Sequence, residues 1–175
     1  PTVNGGVAIT LTRTGAHDTT NRHDFQISRN RVGVGQRSSG GVVGSQPTTA
    51  LDVNLGNSTF LGFRVDDNTF FTTGQMMAVQ ANGSGTLASL LDVSICGNSL
   101  NRGGGVVGTP IDGITLNLTD FNLGQLSCEN NEISSQSPGT SSQAVEVNAS
   151  NTTATDMTVS DLSFGGNSCS GEIRV

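Results

Sequence analysis

The 175-residue sequence contains no lysine, tryptophan or tyrosine, and charged residues make up only 13% of it. That share is about half of the roughly 25% found in typical soluble domains. Disordered chains are rich in charge and poor in apolar residues, so this composition argues against disorder. The hydrophobic share of 33%, taken with 24 glycines, is close to that of a globular protein. We therefore expect one domain, residues 1–175.

Positive charge is also scarce, because all eight basic residues are arginines and the formal net charge is −6. Nucleic acids and anionic membranes are bound by clusters of lysine and arginine, so we expect neither as a partner. No stretch approaches the roughly 20 apolar residues of a membrane helix, so we expect no membrane insertion. The charge is uneven: residues 1–40 carry a net charge of +3, and residues 41–175 a net charge of −9.

Cysteine and histidine are scarce, with three and two residues respectively. The three cysteines, Cys96, Cys128 and Cys169, fit no zinc pattern, and their odd number excludes a complete set of internal disulfides. We expect Cys128 to pack as a small apolar residue, and we regard Cys96 and Cys169 as candidates for a disulfide or a contact in a polymer. Two His-Asp pairs, 17–18 and 23–24, could hold a transition metal, but an exposed polar loop is the simpler interpretation. We predict no metal site and no cofactor.

One motif recurs five times along the chain. It consists of an apolar residue, any residue, a second apolar residue, two variable residues, an asparagine, any residue and a third apolar residue. The copies are residues 25–32, 63–70, 93–100, 126–133 and 157–164. In the last copy Leu162 replaces the asparagine.

A short segment of alternating apolar and polar residues precedes each copy, at residues 7–11, 51–55, 77–81, 114–116 and 145–149. Residues 172–175 resemble the start of a further one. Such alternation predicts strands with one inward face, and the Gly-, Asn-, Ser- and Thr-rich segments between them predict turns. A repeat of about 30 residues built from short strands is typical of a solenoid.

In a solenoid, equivalent positions of successive repeats form columns. One inward column is expected to contain Ile27, Val65, Ile95, Cys128 and Val159. A second is expected to contain Val32, Phe70, Leu100, Ile133 and Phe164. A third is a structural asparagine ladder of Asn30, Asn68, Asn98 and Asn131, in which each side-chain amide donates a hydrogen bond to one neighbour and accepts one from the other.

The pentapeptide Gly-Gly-Val-Val-Gly occurs twice, at residues 40–44 and 104–108. Both copies lie between an asparagine motif and the next alternating segment. They predict a further strand in the repeat and a triangular cross-section.

The asparagine column with its flanking alternation resembles the right-handed parallel β-helix family, which includes pectin-lyase-like solenoids and the passenger regions of bacterial surface proteins. The resemblance covers nearly all of residues 7–164. It implies an all-β fold, a right-handed parallel β-helix (solenoid) of about five rungs. Because such solenoids include lyases, hydrolases, adhesins and tailspikes, the resemblance leaves the activity open.

The enzymes of this family would imply clustered acidic residues. Four carboxylates stand beside the asparagine column in different repeats: Asp66, Asp67, Glu129 and Asp161. Such a row could bind a cation or act on a glycosidic bond. In the third repeat Cys96 and Gly97 hold these places and break the row, so we predict no catalytic residues.

The first and last repeats have no obvious polar cap, although an open solenoid end exposes apolar surface and strand edges. Together with the charge polarity, this predicts head-to-tail self-association. We therefore expect a secreted, extracellular structural protein that stacks into a surface fibre or forms an adhesin stalk, with possible cell-surface or glycan contact, and not an enzyme. The chain would be a mature or excised segment of a longer fibre protein. The alternative is a polysaccharide-degrading or polysaccharide-binding β-helix.

Overall fold

The computed structural model describes residues 7–13, 18–33, 36–38, 41–43, 47–56, 58–83, 88–102, 112–135, 143–153, 156–169 and 172–175. Among these residues there are strands and turns but no helix. In chain order the strands are β1 (Val7–Arg13), β2 (Asp18–Ser28), β3 (Arg31–Val32), β4 (Gln36–Ser38), β5 (Gly41–Val43), β6 (Thr49–Leu55), β7 (Ser58–Asp66), β8 (Thr69–Thr72), β9 (Met77–Asn82), β10 (Ala88–Cys96), β11 (Ser99–Arg102), β12 (Asp112–Thr119), β13 (Phe121–Glu129), β14 (Glu132–Ser135), β15 (Gln143–Ser150), β16 (Leu162–Ser163), β17 (Ser168–Cys169) and β18 (Glu172–Arg174).

Three parallel sheets contain all of these strands except β4 and β5. Sheet A has the order β1-β6-β9-β12-β15-β18, sheet B the order β2-β7-β10-β13-β16, and sheet C the order β3-β8-β11-β14-β17. The chain passes through sheets A, B and C in turn and then returns to sheet A. Each such passage, called a repeat below, adds one strand to each sheet beside the strand of the previous repeat.

The alternating segments form the strands of sheet A in register. One inward column runs through Ile9, Leu51, Met77, Ile114, Val145 and Ile173. Because side chains alternate between the faces of a strand, residues two apart share a face, and the next inward column begins with Leu11, Val53 and Val79. The prediction that residues 172–175 begin another strand is confirmed by β18.

The core lies on the inward faces of the three sheets. In the second to fourth repeats the inward side chains are fully buried, with Phe60, Phe63, Phe70 and Phe121 the largest. Burying one such side chain stabilises the fold by about 1.5–3 kcal/mol. The rings of Phe60 and Phe121 stack with their centroids 6.3 Å apart, so aromatic packing crosses from one repeat to another.

The register of the fifth repeat differs from the sequence prediction. Strand β16 pairs Leu162 with Leu126, and β17 pairs Cys169 with Ile133. Cys169 therefore ends the column assigned to Phe164, and Phe164 continues the register opposite Cys128 where Val159 was expected. Val159 instead forms an isolated bridge with Leu123.

The cause is a second match to the motif. Residues 162–169 read Leu-Ser-Phe-Gly-Gly-Asn-Ser-Cys, with apolar residues and an asparagine at every required position. Residues 157–164 lack the asparagine, and a buried corner without its hydrogen-bonding side chain is unfavourable.

The first Gly-Gly-Val-Val-Gly segment is not a strand of the repeat. Residues Gly41–Val43 pair antiparallel with Gln36–Ser38 as a separate hairpin between β3 and β6. The second copy, at residues 104–108, lies outside the described residues. The third strand of each repeat is instead the part of the asparagine motif that follows the asparagine, which forms sheet C. The whole arrangement is all-β, with stacked parallel sheets, and is compatible with a β-helix-like fold.

Candidate functional site

The four predicted asparagines stand in one column at the corner between sheets B and C. The backbone N–H and the side-chain Nδ2 of each donate to the Oδ1 of the asparagine in the next repeat. These distances lie between 2.9 and 3.1 Å along the column. Asn68, Asn98 and Asn131 are each 1% exposed, so the bonds are shielded from water.

Each side-chain amide also binds the backbone of the preceding repeat. The Nδ2 atoms of Asn68, Asn98, Asn131 and Asn167 donate to the carbonyl oxygens of Ile27, Val65, Ile95 and Cys128 at 2.7–2.8 Å. Each acceptor lies three residues before the asparagine of its own repeat. One asparagine therefore ties its repeat to both neighbours. Its bonds to the next asparagine's Oδ1 all point toward the last repeat, and its bonds to backbone carbonyls all point toward the first.

The column has a fifth member, Asn167, which the sequence analysis did not assign. Its Oδ1 accepts the N–H of Asn131 at 2.9 Å and the Nδ2 of Asn131 at 3.1 Å. The signal that could have found it was present, because Asn167 has the motif's apolar neighbours at Leu162, Phe164 and Cys169.

The corner also fixes the backbone of the residue before each asparagine. That residue has positive φ in every repeat: Arg29 (58°), Asp67 (57°), Gly97 (67°), Asn130 (55°) and Gly166 (65°). The left-handed conformation disfavours side chains with a Cβ by roughly 1–2 kcal/mol. Its occurrence at Arg29 and Asp67 means that the ladder and the packing on either side dictate the turn.

Backbone hydrogen bonds repeat at the corner as well. The N–H of the left-handed residue donates to the next repeat at 2.9–3.2 Å in the first four repeats, as from Asp67 to the Cys96 carbonyl. The residue after each asparagine donates to the preceding repeat's asparagine carbonyl at 2.8–2.9 Å, as from Ser99 to Asn68. The corner is thus a directional set of donors and acceptors.

This set is open at both ends. In the four later repeats, the asparagine Oδ1 accepts from the asparagine of the preceding repeat. Among the described residues, no hydrogen bond reaches the corresponding Oδ1 of Asn30 in the first repeat. Similarly, within the described ranges the backbone N–H of Asn167 donates to no acceptor, although the same N–H donates in the other four repeats. One end of the column therefore offers an acceptor and the other a donor.

The inward side chains of the outer repeats are incompletely covered. At the first repeat, Ile9, Leu11, Phe25, Ile27 and Val32 are only partly buried; this set is called the first-repeat face. Their counterparts one repeat further, such as Leu51 and Val65, are 0% exposed. At the other end, Leu162, Phe164, Cys169, Ile173 and Val175 form the last-repeat face, where Ile173 is 41% and Val175 68% exposed.

The three cysteines are all free. Cys128 is buried on the inward side of sheet B, as predicted. Burial, followed by the neighbouring Cys96 and Cys169, raises the pKa of the Cys128 thiol to about 12, and a hydrogen bond from Asn131 acts in the opposite direction. Burial also raises the pKa of Cys169. Cys96 faces outward, with its Sγ 3.7 Å from the Ser127 carbonyl oxygen.

The acidic residues beside the ladder do not form a cluster. Asp66 pairs in register with Cys96, and Cys96 with Glu129. Strand β10, which has Cys96 at this position, therefore separates the two carboxylates. The Asp66 Oδ1 accepts from Ser94 at 3.0 Å, and Asp161 lies outside the corrected motif. Across the described part of the chain, no three His, Cys, Asp or Glu side chains could share a metal ion. His17 and the side chain of His23 lie outside what the structure describes.

No family model, curated protein or solved structure matches this chain. In the described ranges there is also no helix long and apolar enough to cross a membrane. Any proposal about its role therefore rests on its own geometry.

Proposed function

We propose that this chain is an extracellular structural protein, a right-handed parallel β-helix of about five rungs that stacks head to tail into a surface fibre or an adhesin stalk. Connections between parallel strands of one sheet are right-handed in about 98% of cases, which supports the hand of the coil. The observation that carries the proposal is the complementarity of the two open ends of the asparagine column.

A second copy placed on the last-repeat face would continue the column without any change of pattern. The N–H and Nδ2 of Asn167 would donate to the Oδ1 of the incoming Asn30. The incoming Asn30 Nδ2 would donate to the Phe164 carbonyl, which stands where the Cys128 carbonyl stands one repeat earlier. A typical hydrogen bond contributes about 0.5–1.5 kcal/mol net, so the corner alone favours this order of stacking.

The strand edges and the apolar columns add to this contact. Strands β2 and β3 end sheets B and C on one side, and β16 and β17 end them on the other. Unpaired strand edges readily pair with another chain. Stacking would place Phe25 and Ile27 over Leu162 and Phe164, which removes apolar surface of both copies from water.

Charge favours the same polarity. The exposed Arg29 and Arg31 belong to the first repeat, whereas Asp161 and Glu172 are exposed near the last-repeat face. A contact between two different faces is heterologous, and when it does not close into a ring it produces an open filament. This is the geometry that a fibre or stalk requires.

Sedimentation velocity over a range of protein concentrations tests the proposal. At about 0.01 M salt, where charges act over about 30 Å, we expect concentration-dependent growth beyond the monomer. The double variant Arg29→Glu, Arg31→Glu should associate more weakly. The control is Arg64→Glu, an exposed residue paired with Asp92 at 3.3 Å in the second repeat, which should leave association unchanged. A monomer at every concentration, or equal association of all three proteins, would refute the proposal.

A further inference from the structure

The last-repeat face is stepped, because sheet A contains one strand more than sheets B and C. The extra strand, β18, pairs with β15 at the edge of sheet A. A second copy that adds β2 to β16 and β3 to β17 would also bring its β1 to the edge of β15. That place is already occupied, so β18 and the incoming β1 compete for it.

The two strands also have the same pattern. Ile173 pairs in register with Val145 and therefore occupies the column that Ile9 begins. Val175, two residues on, falls in the column of Leu11. Ile-Arg-Val at 173–175 thus presents the same inward apolar pair as Ile-Thr-Leu at 9–11.

The two strands differ in the length over which they pair with sheet A. Strand β1 keeps register with β6 from Val7 to Arg13. Strand β18 pairs with β15 only over Glu172–Arg174, and even there the register shifts between Glu172, opposite Gln143, and Ile173, opposite Val145. All of residues 172–175 are exposed. Because β1 is the longer strand and its inward side chains are better buried, it should displace β18 from the edge of β15.

We propose that β18 is a displaceable plug on the edge of β15, which a second copy of this chain must remove with its own β1 in order to dock. The inference rests on the proposed head-to-tail assembly and adds a mechanism that regulates this assembly. Occupation of the edge by β18 weakens association, and release of β18 exposes the full docking surface. The occupant of that surface is the first repeat of another copy.

Two variants with opposite expected effects test the plug. Ile173→Asn with Val175→Asn weakens the hold of β18 on β15, so association should become at least about tenfold tighter in sedimentation equilibrium, which corresponds to about 1.4 kcal/mol. Ile9→Asn weakens the incoming strand, so association should become weaker. Deletion of residues 172–175 should act as the double variant does.

The outcomes separate the plug from simpler explanations. If Ile173 and Val175 instead contributed apolar contact area to the assembly, their replacement would weaken association. That result would overturn the proposal that β18 is a plug. Unchanged association of the double variant and of the deletion also overturns it, while the head-to-tail contact stands. If the chain and all variants remain monomers, the head-to-tail proposal and the plug fail together. Far-UV circular dichroism of each variant verifies that the strands are retained.

Discussion

At the scale of single residues, asparagine is suited to the corner because its amide donates and accepts at the same time. The Oδ1 of Asn98 accepts from the N–H and Nδ2 of Asn68 in the preceding repeat. The Nδ2 of Asn98 donates to the Asn131 Oδ1 in the next repeat and to the Val65 carbonyl in the preceding one. No other uncharged side chain of that length offers both functions. Because the position is buried, loss of any of these hydrogen bonds leaves a polar group unpaired and lowers the free energy of unfolding.

Replacement of Asn98 by alanine tests this. Asn98→Ala removes the acceptor of the Asn68 N–H and the donor to the Val65 carbonyl, and it leaves buried groups unpaired. We expect a loss of about 2–4 kcal/mol in the free energy of unfolding, measured by urea denaturation. Asn54→Ala is the matched control, since Asn54 lies on the outward side of sheet A, where its Nδ2 donates to the Asp52 carboxylate at 3.3 Å; its effect should stay within about 0.5 kcal/mol. Equal effects would argue against the ladder as a source of stability.

Four of the five ladder residues could be predicted from the sequence, because a fixed residue at a fixed distance from apolar positions defines a column. Asn167 was missed because two overlapping segments, 157–164 and 162–169, both carry the apolar spacing. The asparagine favours residues 162–169, and the pairing of Leu162 with Leu126 shows that they form the fifth copy. The open ends of the column could not be predicted either, since they depend on which donors reach Asn30 in three dimensions.

Cys128 makes the stability depend on pH in alkaline solution. Its folded pKa is about 12 and the ordinary value is near 9, so the unfolded chain loses this proton first. The contribution of the neutral thiol is complete below about pH 9 and is lost as the pH rises towards 12, at up to about 1.4 kcal/mol per pH unit for one proton. Lysine and tyrosine, which also titrate at alkaline pH, are absent from the sequence.

Urea denaturation between pH 8 and pH 11 measures this dependence. Cys128→Ala should flatten the decline in the free energy of unfolding, whereas Cys169→Ala, which replaces a half-buried thiol, should retain most of it. A decline of the same slope in Cys128→Ala would assign the effect to another group.

At the scale of elements, the corners decide where each strand ends. Asp120 stands between β12 and β13 with φ 56° and is fully buried. Its carboxylate accepts from the N–H and hydroxyl of Thr152 at 2.6 and 2.5 Å and from the N–H of Thr153 at 3.2 Å. One side chain thus holds the turn that follows β15 in the next repeat.

Loss of this carboxylate should loosen the fifth repeat. We expect Asp120→Ala to lower the free energy of unfolding by about 2–4 kcal/mol, because three donors lose their acceptor, and Asp120→Asn to have a smaller effect. Asp92→Ala is the control, because its exposed pairing with Arg64 contributes at most about 1 kcal/mol. Hydrogen exchange at Thr152 and Thr153 should accelerate in Asp120→Ala alone, and unchanged exchange there would contradict the role of Asp120.

The strands of sheet A could be predicted from alternation alone, since the two inward columns that begin with Ile9 and Leu11 are apolar in every repeat. The three-strand repeat was predicted with the wrong third strand. Gly41–Val43 has the composition of a strand, but it follows Gln36–Ser38 closely enough to pair as a hairpin. The two-residue and four-residue strands of sheet C were hidden within the asparagine motif, because a sharp left-handed residue divides it.

At the scale of the whole molecule, the proposal of a stacking module depends on the polarity of the asparagine column. The bonds from each asparagine to the next asparagine's Oδ1 all point toward the last repeat, and among the described residues the column ends in a free acceptor at Asn30 and a free backbone donor at Asn167. Copies joined through these ends must all face in one direction. With about 4.8 Å between neighbouring strands, five repeats add about 24 Å to a fibre for each copy.

Electron microscopy of the purified chain under native, non-reducing conditions tests this central claim most directly. The account predicts unbranched polar fibres with a layer spacing of about 4.8 Å and an axial repeat of about 24 Å per copy. Monodisperse particles of single-copy size at every protein concentration would contradict it.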